Sequence, residues 1–381
     1  MHLRRALLGL AASALSAVLA HPAVAVTYPV GDAPPFAAAI LVEPETGTVL
    51  YEYNADLPRS PASTQKLLLQ LVVMDALESG RISLTDSVYA SAVASRIGGS
   101  QVYLREGEVF PLEQLMEAIA ISSANDACVA VAERLGGSVG GFVDMMNQRA
   151  QSLGLSQTHC VNVHGLDDTP ADEGNQTTAR DLSRIGASLL RYPQVLEWTS
   201  TRYKPFRNGG FMLHTTNRLL GRFPGLDGLK TGYTRRAGFC LVATAERDGM
   251  RLLSVVMGAS TERGREQESA RLLSWGFNNF TRVPVARGGE HLGSVPLEWG
   301  VEPEVAAVTA DTVVVVLTTQ DRQRLKRQVD LPQIRPAPVT AGQDIGQLRI
   351  TLGDSLLAQV TLVAEKSVAR MSLWERLMSY F

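Results

Sequence analysis

Cysteine is scarce in this sequence: Cys128, Cys160 and Cys240 are the only three in 381 residues. An odd number cannot all pair, and their apolar or mixed surroundings mark them as structural thiols; one disulfide is open but not expected. Metal-ligand spacing is missing too. His159, Cys160 and His164 cluster, yet no fourth ligand follows at a matching distance and no histidine pair shares a helix face, so no metal or other cofactor is expected. Neither charge is in excess. With 36 basic and 38 acidic residues the formal net charge is −2, which gives no basic surface for nucleic acid.

One apolar run stands out, at the start. Arg4 and Arg5 precede the stretch from Ala6 to Ala20, and Ala23-Val24-Ala25 supplies the small residues of a cleavage site. Residues 1–25 therefore read as a secretion signal, too short for a membrane span. No cysteine follows, which disfavours a lipoprotein anchor. A mature chain from Val26 keeps 34 basic and 38 acidic residues, net −4.

The length leaves room for two domains. Residues 37–53 alternate around a Pro-Glu-Thr-Gly turn and predict a hairpin. Between residues 61 and 160 helical periodicity dominates, with stops at glycine, and another helix is predicted from Thr178 to Leu190. FCLVATAE and RLLSVVMG, joined by RDG, predict an antiparallel hairpin, and a helix follows over 264–280. Residues 283–364 change character: short valine- and leucine-rich runs broken by Pro, Gly and Asp predict a small all-β module. The fold class is α+β, an antiparallel sheet covered by helices followed by an all-β domain. The expected boundaries are 26–281, 282–365 and a terminal helix over 366–381.

That terminal helix has its own pattern. In VARMSLWERLMSYF, Met371, Trp374, Leu377, Met378 and Phe381 fall on one stripe, with Arg370, Glu375, Arg376 and Ser379 largely off it. About fourteen residues cannot cross a bilayer, which takes roughly twenty. An aromatic-rich stripe beside arginines suits the plane of a membrane surface.

Three short motifs carry the chemistry. Ser63 and Lys66 lie one turn apart at the head of the apolar run LLLQLVVMDAL. Ser123 and Asn125 sit in ISSANDA, at a turn between two predicted helices. Lys230-Thr231-Gly232 opens a predicted edge strand in DGLKTGYT. Each is ordinary alone; serine and asparagine belong in turns and lysine on strand edges. In this order they form the Ser-x-x-Lys, Ser-x-Asn, Lys-Thr-Gly set of penicillin-binding proteins and class A β-lactamases.

The chain resembles the low-molecular-mass penicillin-binding proteins, the serine-type D-alanyl-D-alanine carboxypeptidases, over nearly all of its mature length. NADLPRSPAS, SSANDACVAVAE, HGLDD, TTARDLSRIG, DGLKTGYTRRAGFCLVA and REQESARLLSWGF carry the resemblance beyond the motifs. It implies a β-lactamase/transpeptidase-like domain that removes the last D-alanine of the peptidoglycan stem pentapeptide and is acylated by β-lactam antibiotics. It further implies Ser63 as nucleophile, Lys66 as base and Ser123 as proton relay. Lys66 can be a base only when neutral; burial and a second cation, Lys230, would both depress its pKa. Asn125 would bind the penultimate amide, Lys230 and Thr231 the terminal carboxylate, with Arg265 as a further carboxylate ligand. Gly232 would let the substrate lie along the strand, and the backbone N–H groups of Ser63 and Tyr233 would form the oxyanion hole. The terminal helix would hold the enzyme on the periplasmic face of the inner membrane.

Two residues depart from the family: Gln65 stands where threonine commonly precedes the lysine, and Tyr233 where histidine often follows Lys-Thr-Gly. A β-lactamase would need a water-activating Glu-x-x-Leu-Asn. The loop GLDDTPADEGNQTT offers Glu173 without it. A D-Ala-meso-diaminopimelate endopeptidase of the same family would use the same residues on a cross-link, whereas the β module and tail favour the carboxypeptidase. A non-catalytic cell-wall binder is disfavoured by the complete set of reactive residues.

Overall fold

A computed structural model of the chain describes residues 34–168, 170 and 173–378, together with 17, 18 and 28. The chain divides at residue 280. In the first unit, residues 38–53 form the hairpin β1 (Ala38–Glu43) and β2 (Thr48–Tyr53). Three more strands follow late in the unit: β3 (Leu226–Thr234), β4 (Gly238–Arg247) and β5 (Met250–Ala259). They assemble in the order β2-β1-β5-β4-β3, antiparallel throughout. Arg247 faces Met250 across a two-residue turn in which Asp248 and Gly249 have φ of 50° and 73°. That left-handed pair matches the twist of a two-residue hairpin.

Helices form where the apolar spacing predicts them: α1 (Lys66–Glu78), α2 (Leu112–Ser122), α3 (Asn125–Gly136), α4 (Val139–Ser152), α5 (Ala179–Leu189) and α6 (Glu262–Asn279). Thr178 caps α5, its hydroxyl accepting from the Asp181 N–H at 3.0 Å. Ten of the thirteen α1 residues are buried, as an all-round apolar helix requires. Strand β5 shows how the sheet is covered. Leu253 meets Gly186 of α5, whereas its neighbour Leu252 meets Gly276 of α6. Adjacent strand residues point to opposite faces, so helices pack on both.

The second unit is built of strands: β6 (Phe280–Ala286), β7 (His291–Glu298), β8 (Glu304–Thr309), β9 (Val313–Thr318), β10 (Leu325–Asp330), β11 (Arg335–Pro336), β12 (Asp344–Leu352) and β13 (Ser355–Ala364). One sheet runs β10-β12-β13-β8-β7-β11, and β6 pairs with β9. Its separate core gathers Val295, Val305, Leu348, Ile350, Val360 and Leu362. Residues 1–25, read as a signal, lie outside the described residues except for Ala17 and Val18, which pair with β13.

The tail differs from its sequence pattern. Residues up to Met371 are tied to the β-rich unit: Val368 is buried and bridges Val339, and the Met371 N–H donates to the Trp299 carbonyl at 2.7 Å. Only Leu373–Met378 is helical (α7), opened by a reciprocal cap between Ser372 and Glu375. A segment whose N–H groups are taken by distant carbonyls cannot also be helix. Residues 379–381, with Phe381 of the stripe, lie outside the described residues. Among the described residues no helix is long and apolar enough to cross a membrane.

Candidate active site

Ser63 does not sit in α1 itself. It lies in a 3₁₀ turn, Ala62–Gln65, that feeds the helix at Lys66. The short turn still places the pair on one face: Lys66 Nζ is 2.7 Å from Ser63 Oγ and donates to the His164 carbonyl at 2.8 Å. Lys66 is wholly buried. Burial pushes its pKa down to about 8, against weaker upward pulls from Cys128 and Asp126.

Two glycines let other chain segments close on this turn. A β-carbon on Gly165, at φ +86°, would lie 2.0 Å from the Ala62 carbonyl oxygen. One on Gly232 would lie 2.9 Å from the Ser63 nitrogen and 3.1 Å from that of Thr64. The space Gly232 leaves is thus occupied by the nucleophile's own turn, a duty no motif discloses. Strand β3 is an edge strand, as expected, and Tyr233 on it is exposed, its ring stacked on Phe239 at 4.2 Å.

Lys230, also on β3, is buried, and its ammonium donates to the Thr231 carbonyl at 3.0 Å. Burial, then repulsion from Lys66 and Arg265, holds its pKa well below the ordinary lysine value. Burial is the leading cause of the fall at Lys66, and the repulsion between the two lysines is mutual. The Thr231 hydroxyl donates to that of Thr216 at 2.6 Å. Arg265 is not a surface charge of α6: it is 3% exposed, lies 5.8 Å from the Phe239 ring centre and faces Glu262 and Glu266 at 3.4 and 3.6 Å.

Ser123 ends α2 in the left-handed region, φ 61°, and Asn125 begins α3. The Asn125 amide donates to the Gly98 carbonyl at 2.7 Å. Ser123 Oγ and Asn125 Oδ1 are buried without a hydrogen-bond partner among the described residues. Buried polar atoms are seldom left so, and a bound molecule is one way to complete them. Two flanking residues lie outside the motifs. Asp126 accepts the N–H groups of Val102 and Leu104 and so fixes the segment beside Asn125. His164 stands out in the sequence through HGLDD and its cluster with His159 and Cys160, but it is its backbone oxygen that holds Lys66. No spacing rule marks a carbonyl. Its imidazole is buried beside Lys66, pushed down to about 4 and therefore neutral.

Among the described residues no three His, Cys, Asp or Glu side chains gather as a metal site, and the three cysteines are buried free thiols. Glu173 is exposed.

Comparison with known proteins decides the family. The profile described as D-alanyl-D-alanine carboxypeptidase matches residues 32–261, well over half of the chain. The chain belongs to the D-alanyl-D-alanine carboxypeptidase family. A second profile, the C-terminal domain of penicillin-binding protein 5, matches residues 280–370. The carboxypeptidase DacA of Escherichia coli is 34% identical over 90% of this chain and 85% of its own length. DacF of Bacillus subtilis is 33% identical over 87% and 86%. Among solved structures, penicillin-binding protein 5 of Haemophilus influenzae superposes with a TM-score of 0.79 at 31% identity, covering 90% of this chain and 99% of that one. A Listeria monocytogenes penicillin-binding protein solved with ampicillin bound matches at TM-score 0.59 and 33% identity, over 65% of this chain and all of that one. Family membership thus extends across both units.

Proposed function

We propose that the protein removes the terminal D-alanine from peptidoglycan stem pentapeptides through an acyl-enzyme on Ser63, and that penicillins trap the same ester. The observation that carries this reading is the Ser63–Lys66 contact at 2.7 Å, made by a lysine with no access to solvent. Serine is a weak nucleophile until a base takes its proton, and a lysine lowered to about 8 is neutral in part at neutral pH.

Ser63 Oγ attacks the carbonyl carbon of the penultimate D-alanine while its proton passes to Lys66. The developing oxyanion takes the backbone N–H groups of Ser63 and Tyr233; the close approach of Gly232 to the Ser63 nitrogen supports this reading. As the peptide bond breaks, Ser123 hands its proton to the leaving nitrogen and takes the proton held by Lys66, which becomes neutral again, and the Ser63 ester remains. Water then attacks the ester, its proton going to Lys66, which passes it to the departing Ser63 Oγ, so that serine and neutral lysine are both restored. Asn125 binds the amide of the stem. Lys230, Thr231 and Arg265 bind the terminal carboxylate, which compensates the cost of burying two cations.

Leu373, Trp374, Leu377 and Met378 are all more than half exposed on α7. This uncovered apolar face supports anchoring on the periplasmic side of the inner membrane after removal of residues 1–25. Mass analysis of muropeptides incubated with the purified protein tests the activity. Conversion of pentapeptide to tetrapeptide with free D-alanine is expected. Cleavage of cross-linked dimers alone would make it an endopeptidase, and no change together with no fluorescent-penicillin labelling would make it a binding protein.

A further inference from the structure

Lys66 is not aimed at Ser63 by its own helix alone. A neutral amine has one lone pair and two N–H bonds, so its lone pair faces the serine only if an N–H is held elsewhere. The His164 carbonyl, 2.8 Å away, is that second partner. The placement of this carbonyl depends in turn on Asn162. The Asn162 side-chain oxygen accepts from the His164 and Gly165 N–H groups at 3.2 and 2.8 Å, and its amide donates to the Leu166 carbonyl at 3.1 Å and to Asp168 at 2.7 Å. The Asn162 N–H is directed to Asn175. Only the Asn162 carbonyl is left, and it accepts from the side-chain amide of Gln65.

Gln65 and Lys66 are consecutive, and they send their side-chain donors to two carbonyls two residues apart in one loop. Gln65 is buried, within reach of Asn162 because its amide stands three carbons out from the backbone. A threonine there, as the family commonly has, carries its hydroxyl on the first carbon and cannot span that gap. We propose that Gln65 is a positioning residue of this enzyme: it clamps the Asn162–Gly165 loop to the nucleophile's turn and thereby fixes the acceptor that orients Lys66. The inference rests on Lys66 being the base for Ser63. It takes a residue that departs from the family pattern and gives it a duty that replaces, by a side-chain clamp, whatever holds this loop where threonine stands.

The experiment compares acylation by a fluorescent penicillin in stopped flow with the steady-state release of D-alanine from a soluble pentapeptide. Gln65→Met keeps length and volume but has no N–H to give. The acylation rate constant should fall about tenfold, the loss expected for one buried hydrogen bond acting on the base. The non-covalent dissociation constant for penicillin should stay the same, and for the peptide kcat should fall with KM unchanged. Gln65→Thr, compatible with folding in the family, should show the same split. A Gln65→Met enzyme that acylates within about twofold of wild type would mean the side chain only fills space and would overturn the inference. So would a parallel loss of affinity and rate in both variants, which is the mark of general loosening. A wild-type protein that fails to acylate would instead remove the reading of Ser63 and Lys66 on which the inference stands.

Discussion

Gly232 and Ser63 touch backbone to backbone: a methyl group on the glycine would meet the serine nitrogen at 2.9 Å. Neither atom belongs to a flexible side chain, so neither can give way cheaply. Gly232→Ala should push the edge strand and the nucleophile's turn apart, at a cost of about 1–3 kcal/mol. Acylation by penicillin should fall at least tenfold, with only a few degrees lost from Tm. Stopped-flow labelling beside calorimetry checks this, and an alanine variant with wild-type acylation would show that the contact does not set the site.

Ser63→Ala removes one hydroxyl from a turn whose backbone bonds stay in place. Penicillin labelling and D-alanine release should both vanish while thermal unfolding is nearly unchanged. Residual labelling located on another serine by mass spectrometry would reassign the nucleophile.

The pH dependence follows from Lys66. Its free-enzyme pKa of about 8 leaves about one molecule in ten with a neutral base at pH 7. The acylation rate at low penicillin concentration should rise roughly tenfold from pH 7 and level off above about pH 9. Lys66→Arg keeps the charge but cannot shed the proton, and should be inactive across that range. An active arginine variant would reduce the lysine's role to charge alone.

Stability and activity oppose each other at the same residue. The pKa of Lys66 falls from 10.5 in the unfolded chain to about 8 in the fold. The unfolded state therefore binds the extra proton between those values. Stability should rise with pH from 8 to 10.5, and the full cost of about 3 kcal/mol is present below pH 8. Lys66→Met should be inactive yet more stable at pH 7 by a comparable amount, an advantage that disappears above pH 10.5. Chemical denaturation at about pH 7 and about pH 10.5 measures both; equal gains at the two values would contradict the burial argument.

Removing residues 372–381 takes away the exposed helix but spares Val368 and the bond from Met371 to Trp299. The shortened protein should leave the membrane fraction and keep full D-alanine release from a soluble peptide. Continued sedimentation with membranes would show that another surface does the anchoring.

The sequence by itself carried the motifs. Ser63, Lys66, Ser123, Asn125 and Lys230 to Gly232 stand out because their types and order match the family's motif set. The helices and hairpins were legible because periodicity and turn residues act over a few neighbours, as in the Asp248-Gly249 turn and the Thr178 cap. The tertiary structure decided what depends on distant segments meeting. It buried Arg265, gave Gly232 a neighbour in Ser63, and held the terminal helix back to residue 373 because the preceding residues bond to Trp299 and Val301. It also supplied the partner that matters most to Lys66, the carbonyl of His164. Every residue carries a carbonyl, so no pattern of side chains singles one out; only the fold brings residue 164 to residue 66, and with it removes the water that would have kept the lysine charged.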